Sequence, residues 1–243
     1  MISIAAARPS EAASQAPVAL AGSIVLSGVA VVAMSVFSTT ESLSGDLLHR
    51  LGVPLRMLVL FSLATVWLRA SRSSWRAVGL RRPASMGKVA LLVIAGYVSV
   101  GAAFALLTGV VLPILGLTPK TAEAFSGLTG NTGLYIYLLV VVAWGSAAFG
   151  EELVFRGFLQ SRLELVFGTT RVPAVLAVLT QAVIFGALHS YQGAGGAITA
   201  GTTGLIIGLV YIAGGRNLWA PIILHGLIDT VSLSAIYFGV AGK

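Results

Sequence analysis

Apolar runs near 18–37, 53–68, 89–117, 134–155, 173–189, 197–213 and 218–240 alternate with short polar stretches along this 243-residue chain. A run of about 20 apolar residues crosses the roughly 30 Å hydrocarbon layer as a helix. In lipid an open strand leaves its backbone groups unsatisfied, so each run predicts a helix. The pattern predicts an all-α fold: a polytopic transmembrane helical bundle of about seven spans, within a range of six to eight, with any site in the bundle interior. Pro113 predicts a kink or an early end in the third run. The run 18–37 exceeds the apolar length of a secretory signal and predicts an uncleaved first span. Ala200, Gly204 and Gly208 recur every fourth residue and predict a close-packing face. "YQGAGGA", Tyr191 to Ala197, predicts a glycine-rich turn; no phosphate-binding pattern surrounds it.

Composition agrees with the pattern. The chain is 57% hydrophobic and 9% charged, against about 25% charged in soluble domains. No separate soluble domain of any size fits. The expected organisation is a 1–133 amino-terminal part of about three spans, with a basic loop at 69–88, and a 134–240 helical core. Cysteine is absent, which excludes disulfides, thiolate ligands and a cysteine nucleophile. The net charge of +7 resides mainly in short loops. It therefore predicts orientation and contact with anionic lipids, not nucleic acid. Arg69, Arg72, Arg76, Arg81, Arg82 and Lys88 follow the second run, Arg162 and Arg171 the fourth, and Arg216 the sixth. Those loops and the amino terminus are expected in the cytoplasm, with Trp67, Trp75 and Trp219 at that interface. Seven spans would leave the carboxy terminus outside. Twelve of the fifteen basic residues are arginine, which points to a GC-rich bacterial genome and hence a bacterial cytoplasmic membrane.

Three apolar segments carry ionisable groups: "EELVFR" with Glu151, Glu152 and Arg156, "FGALH" with Phe185 and His189, and "HGLID" with His225 and Asp229. Ionisable residues at membrane depth are costly and mark function by default. Residues four apart on a helix differ by about 40° and share a face. Glu152 can thus pair with Arg156, and His225 with Asp229. Glu151 lies about 100° from Glu152. The spacing predicts a structural Glu152–Arg156 pair and an inward Glu151 free for chemistry. Two site chemistries remain open. In one, Glu151, His189 and His225 ligate a divalent metal such as zinc, with Asp229 as a further ligand or a ligand's partner. In the other, Glu151 and His189 activate a water without a metal, and His225 and Asp229 stabilise the oxyanion. HExxH is absent. Phe185 is expected to pack on His189, and His49 to be solvated in an outer loop.

These three segments resemble the ordered motifs EExxxR, FxxxH and HxxxN/D of the CPBP family, the type II CAAX prenyl endopeptidases and bacteriocin-processing or self-immunity proteins. The resemblance covers about Gly145 to Val231; "NLWAPIILHGLID" and the upstream phrase "VGLRRP" are also similar to family sequence. It implies an all-helical intramembrane endopeptidase. Glu151 would be the catalytic acid/base, His189 its partner on the water, His225 and Asp229 the transition-state stabilisers, and Glu152 with Arg156 the supports. Family members have been described both as metalloproteases and as metal-free glutamate proteases. No cofactor is the expectation here, a divalent metal the alternative. Asp229 stands where prenyl-substrate members typically carry Asn, which favours a metal or a His-orienting role at that position. The expected substrate is a membrane-embedded, lipidated or bacteriocin-like peptide. The alternatives are a non-catalytic partner-binding protein and an ion or proton transporter. One geometric conflict stands: straight spans put His189 about 25 Å from the Arg171 end, while Glu151 and His225 fall toward the cytoplasmic side. A helix broken at Gly145 and Gly150 would relieve it.

Overall fold

In a computed structural model, residues 47–119, 125, 127–167 and 170–240 are described, with the isolated positions 17, 21 and 22. The first apolar run, 18–37, lies essentially outside the described residues. The described chain forms helices joined by turns: α1 (Leu47–Ala70), α2 (Met86–Ile114), α3 (Thr132–Phe167), α4 (Arg171–Leu188), α5 (Gly193–Ala213) and α6 (Trp219–Tyr237). Six helices are long and apolar enough to cross a membrane among the described residues. Their large apolar side chains point outward as well as inward. Leu58, Val66, Leu91, Ile94, Val98, Val172 and Val183 are all exposed, which suits a bundle whose solvent is hydrocarbon.

Local chemistry sets the boundaries. Ser85 caps α2 by accepting from Lys88 N (3.2 Å), and Asn131 caps α3 by accepting from Leu134 N (3.1 Å). In α2 the helix widens to π winding over Leu107–Val111 and stops at Ile114, just after Pro113. The proline ring crowds the carbonyl four residues back, and a wide turn relieves that clash. Several expectations need correction. The "YQGAGGA" glycines are not a turn: only Ser190–Gln192 is a 3₁₀ turn, and Gly193 begins α5. A Cβ on Gly195 would sit 2.7 Å from the Thr118 carbonyl carbon, so the run serves close approach to the segment after α2. His49 belongs to the first turn of α1 rather than to a loop.

The largest correction concerns α3. The fourth run does not end near 155, nor does it break at Gly145 and Gly150. The helix is continuous to Phe167, with π winding over Leu138–Glu151 and Leu153–Gln160. Its last third reads as polar because Arg156, Gln160 and Glu164 face inward, and all are buried. The extension resolves the depth conflict. Glu151 lies sixteen residues before the end of α3 and His189 eighteen after the start of α4. Both distances are about 25 Å, so the α3–α4 hairpin sets the two residues level. The Glu164–Arg216 ion pair (2.6 Å) ties the carboxy-terminal end of α3 to the α5–α6 loop.

α3 packs on α1 and α6, α6 also on α2 and α5, and α5 most extensively on α4. α3 and α6 therefore form the centre of the bundle and carry five of the seven motif residues.

Candidate active site

π winding is rare, occurs mostly as single turns and is frequent at functional sites. Here it governs the stretch that carries the glutamates. Ser146 Oγ donates to the Val141 carbonyl five residues back (3.1 Å), in step with the wider turn. The adjacent glutamates diverge. Glu152 is fully buried, and Glu151 is partly exposed.

Glu152 Oε1 joins α3 to α6 and, through Arg156, to α5. It accepts from Arg156 Nη1 at 2.6 Å and from His225 Nδ1 at 2.7 Å. Arg156 Nη2 donates to the Gly204 carbonyl of α5 (2.9 Å), and its Cζ lies 5.0 Å from the Phe185 ring centroid. Charge-assisted bonds of this kind offset much of the cost of burying the ions.

Phe185 stands between the two histidines. Its centroid is 4.5 Å from that of His189 and 6.2 Å from that of His225, and Phe155 meets it edge-on at 5.0 Å. His189 closes α4 as its C-cap residue. Its backbone N–H turns to Gly186 O, so the Phe185 carbonyl loses its regular helical partner. The His189 ring supplies one, with Nδ1 donating to Phe185 O at 2.8 Å. That bond fixes the hydrogen on Nδ1 and leaves Nε2 as the acceptor nitrogen. At His225, Nδ1 likewise donates to Glu152. Its Nε2 faces Asp229 Oδ2 at 3.6 Å, one turn along α6.

Glu151 Oε2 is buried and has no hydrogen-bond partner among the described residues. Its carboxyl lies within electrostatic range of His225, Asp229, Arg156, Tyr191 and Arg56. The seven motif residues thus lie on α3, α4 and α6 around one interior region.

Sequence reasoning missed several polar groups here. Arg56 of α1 lies within electrostatic range of Glu151 and Tyr191. The Tyr191 ring is 5.8 Å from His189, and its hydroxyl accepts from Gln192 Nε2 (3.0 Å). Arg56 had a signal: it is the one charge in the 53–68 run. Gln160 and Glu164 had another, continuing the four-residue spacing from Glu152 and Arg156. Gln181, fully buried, donates to the same Gly204 carbonyl as Arg156 (2.9 Å) and had no evident signal.

A divalent metal would need at least three convergent ligands. Among the described residues no three His, Asp or Glu side chains are grouped to hold one. His225 and His189 both donate through Nδ1, to Glu152 and to a backbone carbonyl, which leaves Nε2 as the nitrogen either would offer a metal.

Residues 133–231, about two fifths of the chain, match the family described as type II CAAX prenyl endopeptidase Rce1-like. All seven motif residues fall inside the matched stretch, whereas Arg56 lies outside it. No curated protein and no solved structure matches the chain.

Proposed function

We propose that this chain, whose residues 133–231 match the type II CAAX prenyl endopeptidase Rce1-like family, is a membrane-embedded endopeptidase that cleaves its peptide with a water activated by Glu151 and His189. The observation that carries the reading is the contrast between neighbours. Each glutamate has a buried Oε2 without a partner among the described residues, but the fully buried Glu152 is pinned through Oε1 by Arg156 and His225, whereas Glu151 is partly exposed and carries no such clamp.

The steps follow from the tautomers. A water donates one hydrogen to Glu151 and the other to His189 Nε2. Glu151 takes its proton as the water oxygen bonds to the scissile carbonyl carbon. General-base help of this kind contributes about 10²–10⁴-fold. The carbonyl oxygen becomes an oxyanion beside the Nε2 edge of His225, whose ring Glu152 holds in place. With a proton on Nε2, that edge donates to the oxyanion, and Asp229 orients it. Glu151 then returns its proton to the departing nitrogen as the C–N bond breaks, giving a carboxyl and an amine product. The substrate class that suits a site enclosed by spans is a membrane-embedded or lipidated peptide.

The test is hydrolysis of fluorogenic membrane peptides by the reconstituted protein. Wild type is compared with Glu151→Gln and with chelator-treated enzyme. Loss of turnover in Glu151→Gln with full activity under chelator is the expected result. Loss under chelator would sink the metal-free reading, and full activity in Glu151→Gln would sink the role of Glu151.

A further inference from the structure

The end of the bundle that carries the arginine-rich loops holds a groove of about 420 Å³, lined by Leu80, Arg81, Arg82, Pro83, Met86 and Trp219. None of these residues belongs to the active site. The groove sits where two spans begin, α2 at Met86 and α6 at Trp219, and so at the boundary between lipid and water.

Bonds between two loops build its walls. Arg81 Nη2 donates to Gly215 O (2.9 Å), Asn217 Nδ2 to Arg81 O (2.8 Å) and Leu218 N to Gly79 O (3.1 Å). The Tyr211 hydroxyl donates to Val78 O at 2.8 Å. Gly79 takes a φ of +118°, and a Cβ there would stand 2.5 Å from the Arg216 carbonyl. The groove is therefore preformed, which lowers the ordering cost of binding.

Its chemistry is two-sided. The loops 71–85 and 214–218 carry Arg72, Arg76, Arg81, Arg82 and Arg216 and no Asp or Glu. The nearest acid in this network, Glu164, is taken by Arg216. Beyond the arginines the surface turns apolar. Met86, Ala90, Ile94 and Val98 lie four residues apart on one face of α2, and all are exposed. Trp219 and Leu227 are exposed along one face of α6.

We infer that this groove binds one anionic phospholipid. The phosphate lies against Arg82 and Arg81, and the acyl chains run down the α2 face past Met86. The Trp219 indole takes the headgroup level, where aromatic rings are favoured. A soluble anion would use the arginines and leave the apolar face unused; a phospholipid uses both.

The experiment is native mass spectrometry of the intact protein titrated with phosphatidylglycerol or phosphatidylcholine. Phosphatidylglycerol is expected to bind more tightly. Arg82→Gln should weaken it about fivefold, Arg82→Lys should keep most of the affinity, and Arg171→Gln at the start of α4 should change nothing. Equal affinity for the two lipids overturns the inference. So does an equal loss in Arg171→Gln and Arg82→Gln, which would mean diffuse charge rather than a site. Displacement of the lipid by inorganic phosphate at the same concentration also overturns it, because the acyl chains would then add nothing.

Discussion

His225 Nδ1 donates to Glu152 Oε1 across 2.7 Å, tying α6 to α3 at the level of the site. The same oxygen takes Arg156 at 2.6 Å. Two adjacent glutamates thus carry separable duties, and substitution should separate them. Glu152→Ala strands a buried guanidinium and frees the His225 ring. It should cost about 3–5 kcal/mol of stability, as breaking a buried pair generally does, and activity should fall with it. Glu151→Ala leaves the Glu152–Arg156–His225 bonds intact and should keep the unfolding midpoint close to wild type while abolishing turnover. Thermal unfolding in detergent, run beside peptide cleavage, distinguishes the two. Similar midpoints for both variants would contradict the division.

Phe185 contacts both histidines and lies under the Arg156 guanidinium. Phe185→Leu keeps an apolar side chain but removes the ring stacked on His189. The expected result is a modest loss of stability, on the order of 1 kcal/mol, and a fall in kcat with KM nearly unchanged. A rise in KM with kcat intact would mean that Phe185 contacts substrate rather than positioning His189.

Small residues set how closely α4 and α5 approach, and Gly186 is the tightest point. A Cβ there would stand 2.6 Å from the Ala197 carbonyl and 3.0 Å from Gly201 Cα. Both are backbone atoms and cannot swing aside. Gly186→Ala should cost about 1–3 kcal/mol. Gly101→Ala on α2, where nothing lies within 4 Å, should be neutral or slightly stabilising. The comparison is made by unfolding in one lipid or detergent, and equal midpoints would refute the close contact.

Much of this was legible in the sequence, for a physical reason. Hydropathy exposes charge in lipid-facing sequence, so Glu151, Glu152, Arg156, His225 and Asp229 stood out. The same logic applies to Arg56, a lone charge in the 53–68 run that the sequence reading passed over; no spacing partner on its own helix pointed to Glu151. The last third of α3 was hidden because its polar side chains turn inward, the reverse of a soluble helix. Gln160 and Gln181 bond the carbonyls of Gly208 and Gly204 on another helix, and no local pattern encodes that. Nor does a residue pattern specify the π winding that carries the glutamates.

Asp229 offers the sharpest test of the oxyanion side of the site. Its Oδ2 is 3.6 Å from His225 Nε2, and its side chain is 29% exposed. A carboxylate here can orient His225, but only its protonated form could donate to an oxyanion. An amide donates without that requirement. Asp229→Asn should therefore keep activity within about tenfold of wild type, because a donor gained beside the oxyanion offsets the partner lost by His225. Asp229→Leu supplies neither a donor nor an acceptor, leaves the His225 Nε2 edge without its partner, and should lose about 10²–10³ in kcat, as when an oxyanion donor is lost. Single-turnover cleavage by the three proteins, at matched folding, gives the answer. If Asp229→Asn fails as badly as Asp229→Leu, His225 needs the carboxylate charge itself, and an amide donor beside the oxyanion does not replace it.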